Sequence, residues 1–404
     1  VSNKPALTRL ECGSNQLTDL DVRNGNNENI TLFNASSNPD LTCIFVDDIS
    51  YSNANWTDID PNSYFVENEA ECSNPSLLYT AIPDQNFELA LIDLGIDTNP
   101  TPNGQVLTAD IEGVTQLPVA SENIANLTGI EDFTALTYLA CGGNQLSSLD
   151  VSNNIALNFL QCYSNQLTSL DVSNNPALTR LECGSNQLTS LDVRANPALE
   201  LFYCSKNQLS SLDVSENPAL TQLYCNQNQL TSLDVSANPA LEFLYCRINQ
   251  LTSLDVTNNP ALLVLNCSEN QLTSLDVSNN IALFDLDIFD NQLTSLDVIN
   301  NPVLTLLECY SNQLTSLDVS NNPALTRLEC GNNQLTSLDV RSNPALETLR
   351  FENNQLTDLD VRNGNNENIT LFNASSNPDL TCIFVDDISY SNANWTDIDP
   401  NSYF

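Results

Sequence analysis

Residues 178–198 read LTRLECGSNQLTSLDVRANPA. The same 21-residue pattern returns without a slip in units starting at Leu136, Leu157, Leu178, Leu199, Leu220, Leu241, Leu262, Leu283, Leu304, Leu325 and Leu346. A fixed period of about 20–30 residues marks a solenoid. Each unit holds two near-copies of one motif. The first half runs through Leu178, Leu181, Cys183, Asn186 and Leu188, and the second through Leu188, Leu191, Val193, Asn196 and Leu199. Leu-x-Cys and Leu-x-Val alternate apolar and polar positions, which predicts a short strand with one buried face. Each Asn falls where the chain must turn, and its amide can replace backbone partners in a bend. The Asn-Pro-Ala that closes most units is a second turn signal.

One coil cannot bury its own leucines, but coils stacked about 4.8 Å apart can. Two strands per coil predict a β-rich solenoid of 21-residue coils with two short parallel sheets. The pattern resembles the bacterial leucine-rich repeat, in the nested ten-plus-eleven class called IRREKO, over residues 114 to about 386. Residues Val114, Leu117, Val119, Asn123, Ile124, Leu127, Ile130 and Phe133 lead to Leu136 in a 22-residue coil that resembles the internalin type.

Composition narrows the partners. With 11 Lys plus Arg against 51 Asp plus Glu, the net charge is −40. That disfavours nucleic acid and anionic membrane surfaces. No apolar run is long enough for membrane insertion as a helix. No signal peptide is present and Met is absent everywhere, position 1 included, which reads as a processed or excised internal piece.

Residues 15–65 are identical to residues 354–404. A module of 339 residues therefore reads as one tile of a longer array. On this reading residues 1–65 are the last coils and C-cap of a preceding array, with Asp47–Phe65 an irregular cap rich in Asn, Asp and Ser. Residues 66–80 are a linker, 81–135 an N-terminal cap with the 22-residue coil, 136–385 the solenoid, and 386–404 the second C-cap. A disulfide between Cys43 and Cys72 would pin the linker, with Cys43 pointing outward. Cys382 is the twin of Cys43, and its partner would lie beyond residue 404. After Pro83, the run DQNFELALIDLG predicts a small helix with Phe87, Leu91 and Leu94 on one face and Gly95 as its stop. Thr108 starts a second short helix. The helical cap followed by a repeat array resembles secreted, multi-repeat surface proteins of marine Bacteroidota. That resemblance implies type IX export and a role in adhesion or surface polymers.

Three ladders run along the repeat. Cysteines at 12, 141, 162, 183, 204, 225, 246, 267, 309 and 330 share one inward position; Ile288 and Phe351 replace them in two units. Apolar replacement favours packing over a metal or redox role. Aspartates from Asp150 to Asp360 point outward at 21-residue spacing, as a solvated face or a calcium-binding one. The outward positions of the first half vary instead. They carry Phe159, Leu201, Tyr203, Tyr224, Phe243 and Tyr245, an aromatic strip suited to covering sugar rings or partner side chains. Asp285, Asp287 and Asp290 cluster beside Glu308 as a candidate cation or basic-partner site, with Ca²⁺ the ion considered, or as repulsion that solvent tolerates.

An enzyme is not expected, because the chain has no His for a general base or triad and a flat ladder offers no cleft. The function read from the sequence is a non-enzymatic extracellular adhesion module at the cell surface, one tile of a giant tandem-repeat or filament protein. Its partners would be a cell-surface glycan or protein and neighbouring tiles, with homo-oligomers possible. The alternative is a structural spacer or filament-building unit without a ligand.

Overall fold

Burial of the leucines fixes the coil. In each coil from the one starting at Leu157 to the one starting at Leu346, the central residue of the first strand is buried, as are the Cys or apolar residue two positions on and the Val of the second half. A computed structural model describes residues 1, 4–73 and 79–404. They form two compact units: Val1–Leu139 with Asn144–Ala156, and Ala140–Gly143 with Leu157–Phe404.

The second unit is a parallel β-solenoid. Its three-residue strands pair in register one coil apart, as in Leu201↔Gln222, Phe202↔Leu223 and Tyr203↔Tyr224. The ladder continues to Leu371–Asn373, so every strand turns one face to the core and one outward.

Two asparagines hold each coil. Asn186 Nδ2 donates to the carbonyls of Cys183 in its own coil and Cys162 in the preceding one, both at 3.0 Å, while its Oδ1 accepts the Leu167 N–H at 3.0 Å. The same triad recurs from coil to coil, as at Asn249. The second stack is less complete. Asn238 Nδ2 donates to the carbonyls of Val214 and Asn217. Its buried Oδ1 has no hydrogen-bond partner among the described residues, nor do those of Asn196, Asn217, Asn259, Asn280, Asn301, Asn322 and Asn343. Proline follows most of these asparagines and supplies no N–H.

The corner before each first-half Asn is strained. One residue per coil, from Ser164 (φ +53°) through Ile248 (φ +55°) to Asn353 (φ +55°), adopts the left-handed region. The cost for a residue with a Cβ is roughly 1–2 kcal/mol. Lys206 shows what holds the corner, its N–H donating at 2.8 Å to the Asn226 carbonyl of the next coil.

The second sheet differs from expectation. In the second unit, among the described residues, the second half forms regular paired strands only at Ser337–Asp339, Asp358–Asp360 and Cys382–Phe384. In the other coils of this unit each Asp bends the chain locally. Asp171 Oδ1 accepts the N–H of Ser173 at 2.9 Å, and Asp234 does the same for Ser236. Asp339 and Asp360 accept the same local N–H while their strands pair, so this bend is compatible with a ladder.

In the first unit, Leu20–Asp21, Cys43–Phe45 and Tyr64–Val66 form a three-stranded parallel sheet. Stacked Phe33 and Trp56 rings, 4.3 Å apart, pack against Phe65 beneath it. The stretch expected to be irregular contains the helix Ile49–Asn55, because Asp48 caps it by accepting the Tyr51 N–H. The residues expected as a linker include the end of a strand at Val66, the helix Glu69–Ser73 and the start of the strand Tyr79–Ala81; positions 74–78 lie outside the described residues. Cys43 and Cys72 are joined by a disulfide, with Cα atoms 5.8 Å apart. Cys43 alternates with the core residue Ile44 along its strand, and it is buried because the segment carrying Cys72 covers it.

The cap helix spans Gln85–Asp93 and buries Phe87 and Leu91. Leu94 is exposed, because Glu88 and Ala90 take up the buried face. Asp84 caps this helix and also receives the N–H groups of Ala125 and Asn126. Thr108–Ile111 is the second short helix.

Candidate functional site

The outward face of the second unit's sheet carries three side-chain rows. Register puts Tyr203, Tyr224 and Tyr245 on adjacent strands. The Tyr203 and Tyr224 rings are tilted, with centroids 6.0 Å apart; those of Tyr224 and Tyr245 are stacked at 4.9 Å and 11°. Stacking leaves them half-buried, so ring edges and hydroxyls reach solvent more than ring faces do. Phe243 shares a strand with Tyr245, and Leu201 with Tyr203. Phe159 lies apart from the three tyrosines, beneath the Arg180 guanidinium at 5.2 Å.

Tyr163, Arg180, Glu182, Leu201, Tyr203, Gln222 and Tyr224 line an open recess of about 460 Å³. Glycine makes room for it. A Cβ at Gly184 would overlap the Tyr203 ring, and one at Gly142 would press on the Tyr163 ring. Arg180 is ion-paired with Glu182, which Gln161 also contacts at 2.9 Å. Leu201, Tyr203 and Tyr224 are thus joined by Arg180, Glu182 and Gln222, residues that sequence reading did not place in a site. The clue lay at Gly184, where the neighbouring coils carry Tyr163 and Ser205.

The acidic cluster crowds carboxylates on neighbouring strands. Asp285, Asp287 and Glu308 sit on two paired strands, with Asp287 opposite Glu308. Asp290 lies on the turn, exposed, at φ +50°. Among the described residues no group of three His, Cys, Asp or Glu is placed to hold a metal ion, these four included. Charge is relieved in other ways. Burial and the facing carboxylates of Glu308 and Asp285 push Asp287 up to about 7, against a weaker opposing pull from Arg247. Asn266 donates to Asp287 at 2.8 Å, and Arg327 pairs with Glu308 at 2.9 Å.

A pH dependence follows. Between about pH 4 and 7 folded Asp287 holds a proton that the unfolded chain has lost, so its contribution to stability falls as pH rises through that window. Asp287→Asn is expected to gain on the parent at pH 8 relative to pH 5. After discounting for solvent screening, ~1 kcal/mol corresponds to a melting shift of roughly 2–4 °C. Thermal melts of both proteins at the two pH values check this; a constant gap between them overturns it.

The aspartate ladder is satisfied differently. Each Asp from Asp171 to Asp360 that forms an Asx turn accepts a local N–H, and Arg194, Arg341 and Arg362 pair with Asp192, Asp339 and Asp360. Arg194 brings Asp192 down to about 2. The cysteine ladder from Cys141 to Cys330 is wholly buried, and burial raises its thiols, Cys183 and Cys309 to about 12. Such thiols are inert packing groups. No helix among the described residues is long and apolar enough to cross a membrane.

The model for leucine-rich repeats in two copies matches residues 323–364. No curated protein matches the chain. The functional domain of InlJ from Listeria monocytogenes, described as including a cysteine ladder, is 32% identical with a TM-score of 0.61, over 78% of this chain and 80% of that one. An internalin, InlF, from the same species is 24% identical (TM-score 0.65, 79% and 95% covered). A leucine-rich repeat protein of Leptospira interrogans is 20% identical (TM-score 0.57, 99% and 93% covered). These last two share the fold. Solenoids of this kind are typically scaffolds for binding protein partners rather than catalysts. Four fifths of the InlJ domain is matched at that identity, and the coil-by-coil leucine, cysteine and asparagine ladders are in place; the chain belongs to the leucine-rich repeat proteins.

Proposed function

We propose that this chain is an extracellular adhesion module that binds a cell-surface partner through its aromatic strip. The observation that carries the reading is the recess around Tyr203 and Tyr224, bordered by Arg180. Tyrosine and arginine in a partly desolvated depression are the composition of binding hot spots. The mutual stacking of Tyr224 and Tyr245 uses up ring faces that a sugar would cover, which favours a protein surface over a glycan. The Cys43–Cys72 disulfide supports an oxidising, extracellular setting.

The near-invariant LTSLDVSNNPA face favours a second reading, in which the chain is a spacer that gives reach to a longer polymer. Binding of the protein to whole cells, cell-surface proteins and polysaccharides separates the two. A Tyr203/Tyr224/Tyr245→Ala variant with unchanged melting temperature is expected to bind at least 100-fold more weakly, since hot-spot truncations cost about 2 kcal/mol or more each. Equal attachment by parent and variant would remove the aromatic strip from the function. Attachment by neither would favour the spacer.

A further inference from the structure

Residues 15–65 and 354–404 are one sequence in two settings. In the first copy Phe45 is 5% exposed and Ile49 4%; their equivalents Phe384 and Ile388 are 47% and 56% exposed. Cys43 is disulfide-bonded, whereas its equivalent Cys382 is a free, part-buried thiol.

The first copy shows what supplies the cover. Val66 pairs with Phe45, and its carbonyl accepts the Val46 N–H at 2.8 Å. The Arg23 guanidinium donates to the Glu67 carbonyl at 3.0 Å, and Ser50 Oγ donates to the Asp110 carboxylate at 3.0 Å. Leu107 and Cys72 pack into the same apolar cluster. The second copy presents the same groups: Val385 for Val46, Arg362 for Arg23, Ser389 for Ser50. It is also set up alike. Arg362 lies over Phe384 at 5.1 Å, as Arg23 lies over Phe45 at 4.6 Å.

We propose that the surface formed by Cys382, Phe384 and Ile388 is a docking face for a cap with the sequence of residues 66–111, which enters beside Phe404 as Val66 enters beside Phe65 and is fastened by a disulfide from Cys382. Two chemically identical surfaces accept the same occupant, and exposed apolar area of this kind marks an interaction site. The covalent step is thiol–disulfide exchange with oxidised glutathione. The Cys382 thiolate attacks one glutathione sulfur and expels glutathione thiolate. The cap cysteine then attacks the mixed disulfide and expels the second. Two protein thiols become one disulfide, and one oxidised glutathione becomes two reduced molecules. This inference does not depend on what the aromatic strip binds.

The test appends residues 66–139, which include the Ala125, Asn126 and Phe133 that hold the cap helix, after Phe404 of the full chain and equilibrates it in a glutathione buffer. Peptide mapping is expected to find Cys382 bonded to the appended cysteine and lost to alkylation. The Val385 amide is expected to exchange at least tenfold more slowly than in the parent, because it gains the bond that Val46 makes to Val66. A Cys382 that stays alkylable, together with unchanged Val385 exchange, overturns the proposal. A disulfide without protection at Val385 also counts against it, since that is a tether and not a docked cap. A fused chain with Ser at both cysteines isolates the non-covalent contact: slowed exchange at Val385 supports docking, and parent-like exchange refutes it.

Discussion

Alanine at Asn249 is expected to lower stability by about 3 kcal/mol, while alanine at Asn238, eleven residues earlier and better buried, costs about half as much. Asn249 donates to the carbonyls of Cys225 and Cys246 and accepts the Leu230 N–H. Its loss removes three hydrogen bonds and orphans the buried Leu230 N–H, at a cost of ~1–3 kcal/mol for that group alone; the two carbonyls keep Asn228 and Asn270 as donors. Asn238 gives two donors, but its own Oδ1 is buried without a partner among the described residues. Alanine there removes that liability along with the two bonds. Total buried area would predict the reverse order, or none. Denaturant unfolding ranks the variants, with amide exchange at Leu230 as the local readout because repeat arrays depart from two-state behaviour. An Asn238→Ala loss equal to or larger than that of Asn249→Ala sinks the argument.

Asp84→Ala is expected to cost about 3 kcal/mol in the first unit. One carboxylate serves four N–H groups: Oδ1 takes those of Asn86 and Phe87 at the helix start, and Oδ2 those of Ala125 and Asn126 at 2.7 and 2.9 Å. A cap alone is worth about 1 kcal/mol, and hydrogen bonds to a charged acceptor about 1.5–3 kcal/mol. Asp84→Asn keeps the acceptor at the helix but turns a donor towards one of the two pairs, so an intermediate loss is expected. Exchange at Ala125 and Asn126 should quicken in both variants. If only the helix amides respond, the carboxylate is a cap and nothing more.

The repeat was legible because its chemistry is written many times over. Leu181, Cys183 and Asn186 each recur at one spacing, and an in-register parallel ladder then places the tyrosines without further information. What stayed hidden depends on single neighbours. Asp48 nucleates a helix in a polar stretch whose composition suggests a loop. The second half reads nearly alike in every coil, yet in the second unit its strands pair regularly only over the last coils. The recess exists because Gly184 lacks a side chain under Tyr203, a fact about one coil that periodicity averages away. Asp285, Asp287 and Glu308 were visible as a cluster, but the upward push on Asp287 depends on its burial and on its distance from Arg247, which spacing does not give.

The direction of the asparagine bonds has a mechanical consequence. In the second unit each first-half Asn ties its own coil to the one before it, as Asn186 does to Cys162 and Leu167. Tension applied along the stack opens the strand ladder at an end, where one coil has a neighbour on one side only. Each 21-residue coil that yields adds about 70 Å of contour length and exposes the next coil to the same load. Such a chain is expected to lengthen in equal steps in a single-molecule pull and to re-form one coil at a time against the face of the coil that held.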